Sequence, residues 1–88
     1  MPINFRSKLH QALLGYYFLN PGAGHYVREL SRELSFSVSL LSRELNALTR
    51  SGVLLSSKIG REKYFRLNRR HPLYDEFQKI TKFIVRKK

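Results

Sequence analysis

The sequence predicts a mainly α fold with one small β-hairpin, in the order helix, strand, helix, helix, hairpin, helix. Three observations carry this. Apolar residues recur at helical spacing in four segments, over 5–19, 27–34, 37–50 and 72–85. The segment VLLSSKIGREKYFRL (53–67) changes period, with Phe65 and Leu67 alternating with Tyr64 and Arg66. Between the segments stand turn-forming groups: Asn20-Pro21-Gly22, Ser35-Phe36-Ser37, Gly52 and Asn68-Arg69-Arg70-His71.

The first helix carries Leu9, Leu13, Tyr16 and Tyr17 on one side, with Asn4 or Ser7 as the cap. Proline cannot continue a helix, so Asn20-Pro21-Gly22 ends it. His25-Tyr26 reads as a short extended piece. VRELSREL (27–34) forms about two helical turns, with Val27, Leu30 and Leu34 inward and Arg28, Glu29, Arg32 and Glu33 outward. Ser37 suits an N-cap for the third helix, which runs to about Arg50 before Gly52 turns the chain. Val38, Leu41, Leu45 and Leu48 form the inward side of that helix. Its other side carries Ser39, Leu40, Ser42, Arg43, Asn46 and Arg50. Ile59-Gly60-Arg61 separates two strand-like runs and signals a hairpin. Pro72 fits the first turn of the last helix, whose apolar stripe is Leu73, Phe77, Ile80 and Ile84.

The chain of 88 residues suffices for a single domain over 1–88, with a core over 5–70 and the C-terminal helix over 72–85. A chain of this size buries only about 60% of its unfolded surface. It has no cysteine, which excludes disulfides, thiolate zinc sites and thiol catalysis. Lys and Arg number 17 against 6 acids, a formal net charge of +11. Such an excess favours an anionic partner. The charge is uneven: six basic side chains against three acids up to residue 52, then eleven against three. No apolar run approaches a membrane span, and MPINFRSKLH lacks the apolar stretch of a signal peptide. A cytoplasmic location and no membrane partner are therefore expected.

Two short helices joined by a three-residue turn, followed by a basic hairpin, make the plan of a winged helix-turn-helix. The segments YVRELSREL, SVSLLSRELNALTRSGVL and GREKYFRLN, with NPG before them and HPLYDEF after, resemble the ArsR-like group of winged helix-turn-helix regulators. They also look like the domains found ahead of minimal nucleotidyltransferase-like domains. The resemblance spans roughly residues 7–80. It implies that residues 37–51 are a recognition helix for the major groove of double-stranded DNA. It implies a wing over 55–66 on the backbone or minor groove, and a homodimer built from the first and last helices. Metal-sensing members use cysteine or histidine clusters. Here cysteine is absent and His10, His25 and His71 are far apart in sequence, so no metal and no cofactor are expected.

The chemistry of each residue suggests its role. Arg43 suits a bidentate contact to guanine, and Asn46 a contact to adenine or phosphate. Ser37 and Ser39 lie where helix N–H groups favour a phosphate, although Ser37 serves equally as a cap. Ser42 either faces the DNA or bonds back to its own helix. Leu40 stands where many relatives have a small polar residue and reaches at most a thymine methyl. Lys58, Arg61 and Lys63 crowd the wing. Arg28, Arg32, Arg66, Arg69 and Arg70 are candidate phosphate contacts, with a solvated face as the alternative for the first two. Tyr16, Tyr17, Phe18, Tyr64 and Phe65 read as core, not as a base-stacking platform. Tyr74, Phe77, Ile80, Phe83 and Ile84 span more than one stripe, which fits either a dimer contact or a wide core-facing helix. Arg86-Lys87-Lys88 reads as a solvated end.

No paired carboxylates, phosphate-binding glycine loop or HExxH spacing occurs, so no enzymatic activity is expected. The reading is a transcriptional regulator acting as a homodimer. Its rivals are a winged-helix protein-interaction module and the DNA-binding portion of a larger protein with a separate catalytic domain.

Overall fold

The computed structural model describes residues 7–20 and 22–86, the last three through their helical backbone alone. Among these residues the elements are α1 (Lys8–Leu19), β1 (Gly24–Tyr26), α2 (Val27–Leu34), α3 (Val38–Arg50), β2 (Leu54–Ile59), β3 (Glu62–Leu67) and α4 (Tyr74–Arg86). The expected order of elements is the observed one. Asn4, Pro21, the side chain of Ile84 and those of Arg86-Lys87-Lys88 lie outside the described residues.

Local chemistry sets the helix ends. The Ser7 hydroxyl accepts from His10 N–H at 3.3 Å and caps α1, which starts at Lys8; residues 5 and 6 lie outside the described residues. The Glu29 carboxylate accepts from Tyr26 N–H at 3.3 Å and closes the start of α2. Ser35 ends α2 in the left-handed region, with φ of 60°. A non-glycine residue there costs roughly 1 kcal/mol or more. Two bonds hold the turn: Ser35 N–H to the Ser31 carbonyl at 3.0 Å, and the Ser31 hydroxyl to the Phe36 carbonyl at 2.7 Å. The chain then re-enters a helix at Ser37, whose hydroxyl accepts from Leu40 N–H at 3.2 Å. Gly52 turns out of α3 with φ of 84°, where glycine is unstrained.

β2 and β3 form the expected hairpin, with Ile59 opposite Glu62 and Gly60-Arg61 as the loop. Gly60 has φ of 63°, the positive value favoured at the first position of such a loop. The short extended piece before α2 does more than connect. It joins the hairpin as β1, antiparallel to β3, and gives a sheet of order β1-β3-β2 with His25 opposite Phe65.

One face of the sheet (Leu54, Phe65, Leu67) closes over Leu13 and Tyr17 of α1, Leu30 of α2, and Leu41, Leu45 and Leu48 of α3, all buried. The last helix differs from expectation at two points. It begins at Tyr74, so Pro72 lies in the preceding turn. Its inward line is Tyr74, Phe77 and Thr81, because α4 lies against α1 and the rings of Phe18 and Tyr74 meet at 5.3 Å. Phe77 is 1% exposed and belongs to the core of this chain, so it is not available to a second copy. Leu73 and Ile80 are 40% and 36% exposed and lie off that line.

The buried Tyr17 hydroxyl donates to the Phe65 carbonyl at 2.9 Å. Tyr17→Phe removes this bond and is expected to cost about 0.5–1.5 kcal/mol at neutral pH. Burial, then the negative charge of Glu29, raises the Tyr17 phenol above its ordinary 10.0. The folded chain keeps the proton where the unfolded chain releases it. The contribution of Tyr17 to stability is therefore fully present below about pH 10 and is lost as pH rises further. Urea denaturation at neutral pH and above pH 10 checks both points, with a shallower alkaline decline expected for Tyr17→Phe.

Candidate nucleic-acid interface

With Leu41, Leu45 and Leu48 buried, α3 turns Ser39, Arg43 and Arg50 to solvent and leaves Ser42 and Asn46 half-exposed. The Arg43 side chain is 73% exposed; its nearest carboxylate oxygen, on Glu44, is 3.9 Å away. Ser42 makes no back-bond to its helix among the described residues, whereas Thr49 does, donating to the Leu45 carbonyl at 2.8 Å. Ser37 caps the helix, and its O–H is left to donate.

The wing brings its cations to this face. Strand alternation places Lys58 and Lys63, a cross-strand pair, on the same sheet face as Phe65 and Leu67, beyond the edge of the core. Lys63 Nζ donates to Asn46 Oδ1 of α3 at 3.3 Å. Arg61 stands at the loop. An open depression of about 270 Å³ unites Arg28, Val38, Ser42, Arg61, Glu62 and Lys63. A second of about 490 Å³ shares Arg28, Val38 and Glu62 with it and adds Tyr26 and Arg32. Residues from α2, α3 and the wing tip thus form one continuous surface, on which Arg28, Arg32, Arg61 and Lys63 outnumber the carboxylates Glu29 and Glu62.

Not every expected residue joins it. Leu40 is half-buried and touches the core, while Val38 is 43% exposed. The two exchange their expected places. Leu40 lies one turn before Glu44, whose Oε2 is 3.1 Å from His10 Nε2, so α1 covers that flank of α3. Val38, at the first turn, faces the gap between α2 and the wing. Sequence reading missed Val38, Tyr26 and Glu62 as lining residues. A valine directly after a cap, with a wing to follow, was the available signal. Arg66, Arg69 and Arg70 lie elsewhere, around a depression of about 330 Å³ at the wing base with Leu55. Arg66 projects from the opposite sheet face to Lys63, about 10 Å along the strand. Among the described residues no cluster of His, Asp and Glu is arranged to hold a metal ion, and no helix is long and apolar enough to cross a membrane.

No protein-family profile and no curated relative matches the chain. Solved structures do. HlyU from Vibrio cholerae superposes with a TM-score of 0.63 at 23% identity, covering 88% of this chain and 78% of that one. Reduced HlyU from the same organism gives 0.61 at 23% identity, covering 88% and 75%. A transcriptional regulator, HlyU from Vibrio vulnificus, gives 0.61 at 24% identity, covering 90% and 82%. The chain has the winged helix-turn-helix fold of these proteins: four helices and a three-stranded antiparallel sheet among the described residues.

The Lys63–Asn46 contact is exposed, and such polar pairs contribute little. A double-mutant cycle with Asn46→Ala and Lys63→Ala, read by thermal unfolding, is expected to give a coupling below about 0.5 kcal/mol. A small coupling leaves both side chains ready to exchange their mutual bond for one to a ligand.

Proposed function

We propose that the protein binds double-stranded DNA in a sequence-specific manner and regulates transcription as a homodimer. The observation that carries this reading is the junction of α3 with the wing tip, where Arg28, Ser42, Arg61 and Lys63 border one depression and Lys63 touches Asn46. A duplex groove needs both kinds of group: side chains that read base edges and cations that hold phosphates. The V. vulnificus protein of the same fold, described as a transcriptional regulator, supports the same direction.

In this reading α3 enters the major groove. Arg43 and Asn46 contact base edges, and Ser37, Ser39 and Ser42 contact the flanking backbone. Lys58, Arg61 and Lys63 follow the adjacent strand or minor groove. Arg28 and Arg32 reach phosphate from α2. A second copy meets this one through the outer side of α4, where Ile80 is 36% and Phe83 60% exposed. A cytoplasmic location goes with this reading.

Selection from a random duplex pool at two salt concentrations, with sequencing of the bound fraction, tests the reading. A two-fold symmetric motif is expected; absence of binding at low salt would overturn it. If each protomer neutralises about four phosphates, log K falls with log salt at a slope of roughly −7 for the dimer. On the selected site, Arg43→Ala should relax preference at one base step by about 1–3 kcal/mol. Arg61→Ala should weaken all sequences alike and flatten the salt slope by about one per protomer. Equal, sequence-blind effects of both would remove the division of roles.

A further inference from the structure

The side of the sheet turned away from α3 is open. β3 pairs with β1 on one edge and β2 on the other, so the outer edge of β2 carries unpaired backbone N–H and C=O groups. Every residue from Leu55 to Ile59 is exposed. The strand contains no proline and only Lys58 as a charge, so little discourages another strand from adding to it.

Three further features share this side. Leu55 and Ile59, 37% and 51% exposed, lie on the sheet face opposite to Phe65 and Lys63. On that face Arg66 is the cross-strand partner of Leu55 and Glu62 that of Ile59, so the positive charge lies at the root end of the strand. Arg69 and Arg70 follow at the base and line the same depression of about 330 Å³. The turn that presents them is held by Asn68, which accepts from Arg70 N–H at 3.1 Å and donates to the Gly52 carbonyl at 2.8 Å. Among the described residues no carboxylate pairs with any of the three guanidinium groups.

We propose that the outer edge of β2 docks an extended acidic polypeptide segment of a partner protein. The segment adds as a further strand. Alternate apolar side chains cover Leu55 and Ile59, and carboxylates at the end of the segment beside the wing root meet Arg66, Arg69 and Arg70. Charge complementarity selects this occupant. A second copy of a chain with net charge +11 brings the same cations to the same edge and is repelled. A nucleic acid satisfies the guanidinium groups but neither the backbone edge nor the two apolar side chains. The surface lies on the reverse of the face bearing Lys63 and meets the surface formed by α3 and the wing tip only at Glu62, opposite Ile59.

A synthetic peptide of about eight residues, with valines at the alternate positions that face Leu55 and Ile59, threonines between them and glutamates at the end beside the wing root, spans β2 and serves as the probe. Titrated into isotope-labelled protein, it is expected to bind saturably and to slow amide exchange along β2. Methylating alternate peptide nitrogens, or combining Arg66→Glu with Arg69→Glu, should weaken binding by about tenfold or more. Leu55→Ser should weaken the peptide while leaving duplex affinity unchanged. Three results would each overturn the proposal. The first is failure to bind, or protection confined to α3. The second is equal binding of the methylated peptide, which would mark charge attraction alone. The third is protection of β2 without peptide that grows with protein concentration, which would assign the edge to a second copy.

Discussion

Phe65 is the point at which the helices, the sheet and the wing are tied together. Its ring is buried, its carbonyl accepts from Tyr17 of α1, and its backbone lies between His25 of β1 and Ser56 of β2. A two-stranded ribbon is marginal alone in water; a third strand and a helix beneath it make it stable. The third strand is brought close by glycine. Tyr64 lies over Gly24 where a Cβ would otherwise sit, and its hydroxyl accepts from Gly24 N–H at 3.2 Å. The Tyr26 and Tyr64 rings then meet edge to face at 5.1 Å. The wing is thereby held at its root, and its tip stands at a defined place beside α3.

The other half of that relation is the attitude of α3. Its start is set by the strained Ser35 turn and the Ser37 cap, its flank by the His10–Glu44 contact. Its end is joined to the wing root: Val53 N–H donates to the Leu48 carbonyl at 3.0 Å, and Asn68 N–H to the Val53 carbonyl at 3.0 Å. α3 and the wing are therefore joined by backbone bonds at one end. A side chain on Lys63 meets one on Asn46 because both elements are fastened at the same end.

The elements that sequence foretold well are those governed by local chemistry. Ser37, Gly52 and the Gly60 loop act within four residues of themselves, so the bounds of α2, α3 and the hairpin were readable. β1 was legible as extended, but not as part of the sheet. Three residues carry too short an alternation, and their partners Tyr64 to Arg66 lie about forty residues on. Helical periodicity gives the angle of a side chain but not which neighbour covers each turn. That is why Val38 and Leu40 exchanged places: α1 covers one flank of α3 and nothing covers its first turn on the other. The same limit applies to α4, where Phe77 and Ile80 fit one stripe and only the Phe18–Tyr74 contact decides which faces in. The candidate residues Arg43, Asn46, Arg61 and Lys63 were readable from residue type and order. The junction of Asn46 with Arg61 and Lys63 was not, because it arises from packing between distant segments.

The uneven charge of the chain acquires a meaning from the pleat of a single strand. β3 carries Lys63 and Arg66, three residues apart, and an odd separation sends them to opposite faces of the sheet. Lys63 joins the surface of α3 and the loop; Arg66 joins Arg69 and Arg70 at the root. The positive charge of the wing and its root is thus two patches and not one, facing different directions on a molecule 36 Å in its longest extent. Each patch has its own company. At the tip the cations stand with Ser42 and Asn46, small polar groups suited to a groove. At the root they stand with Leu55 and an open strand edge, suited to a polypeptide. A mutation that merely lowers net charge acts on both, since charges within about one Debye length of each other are felt together. A change at the strand edge, where no charge is involved, separates the two surfaces.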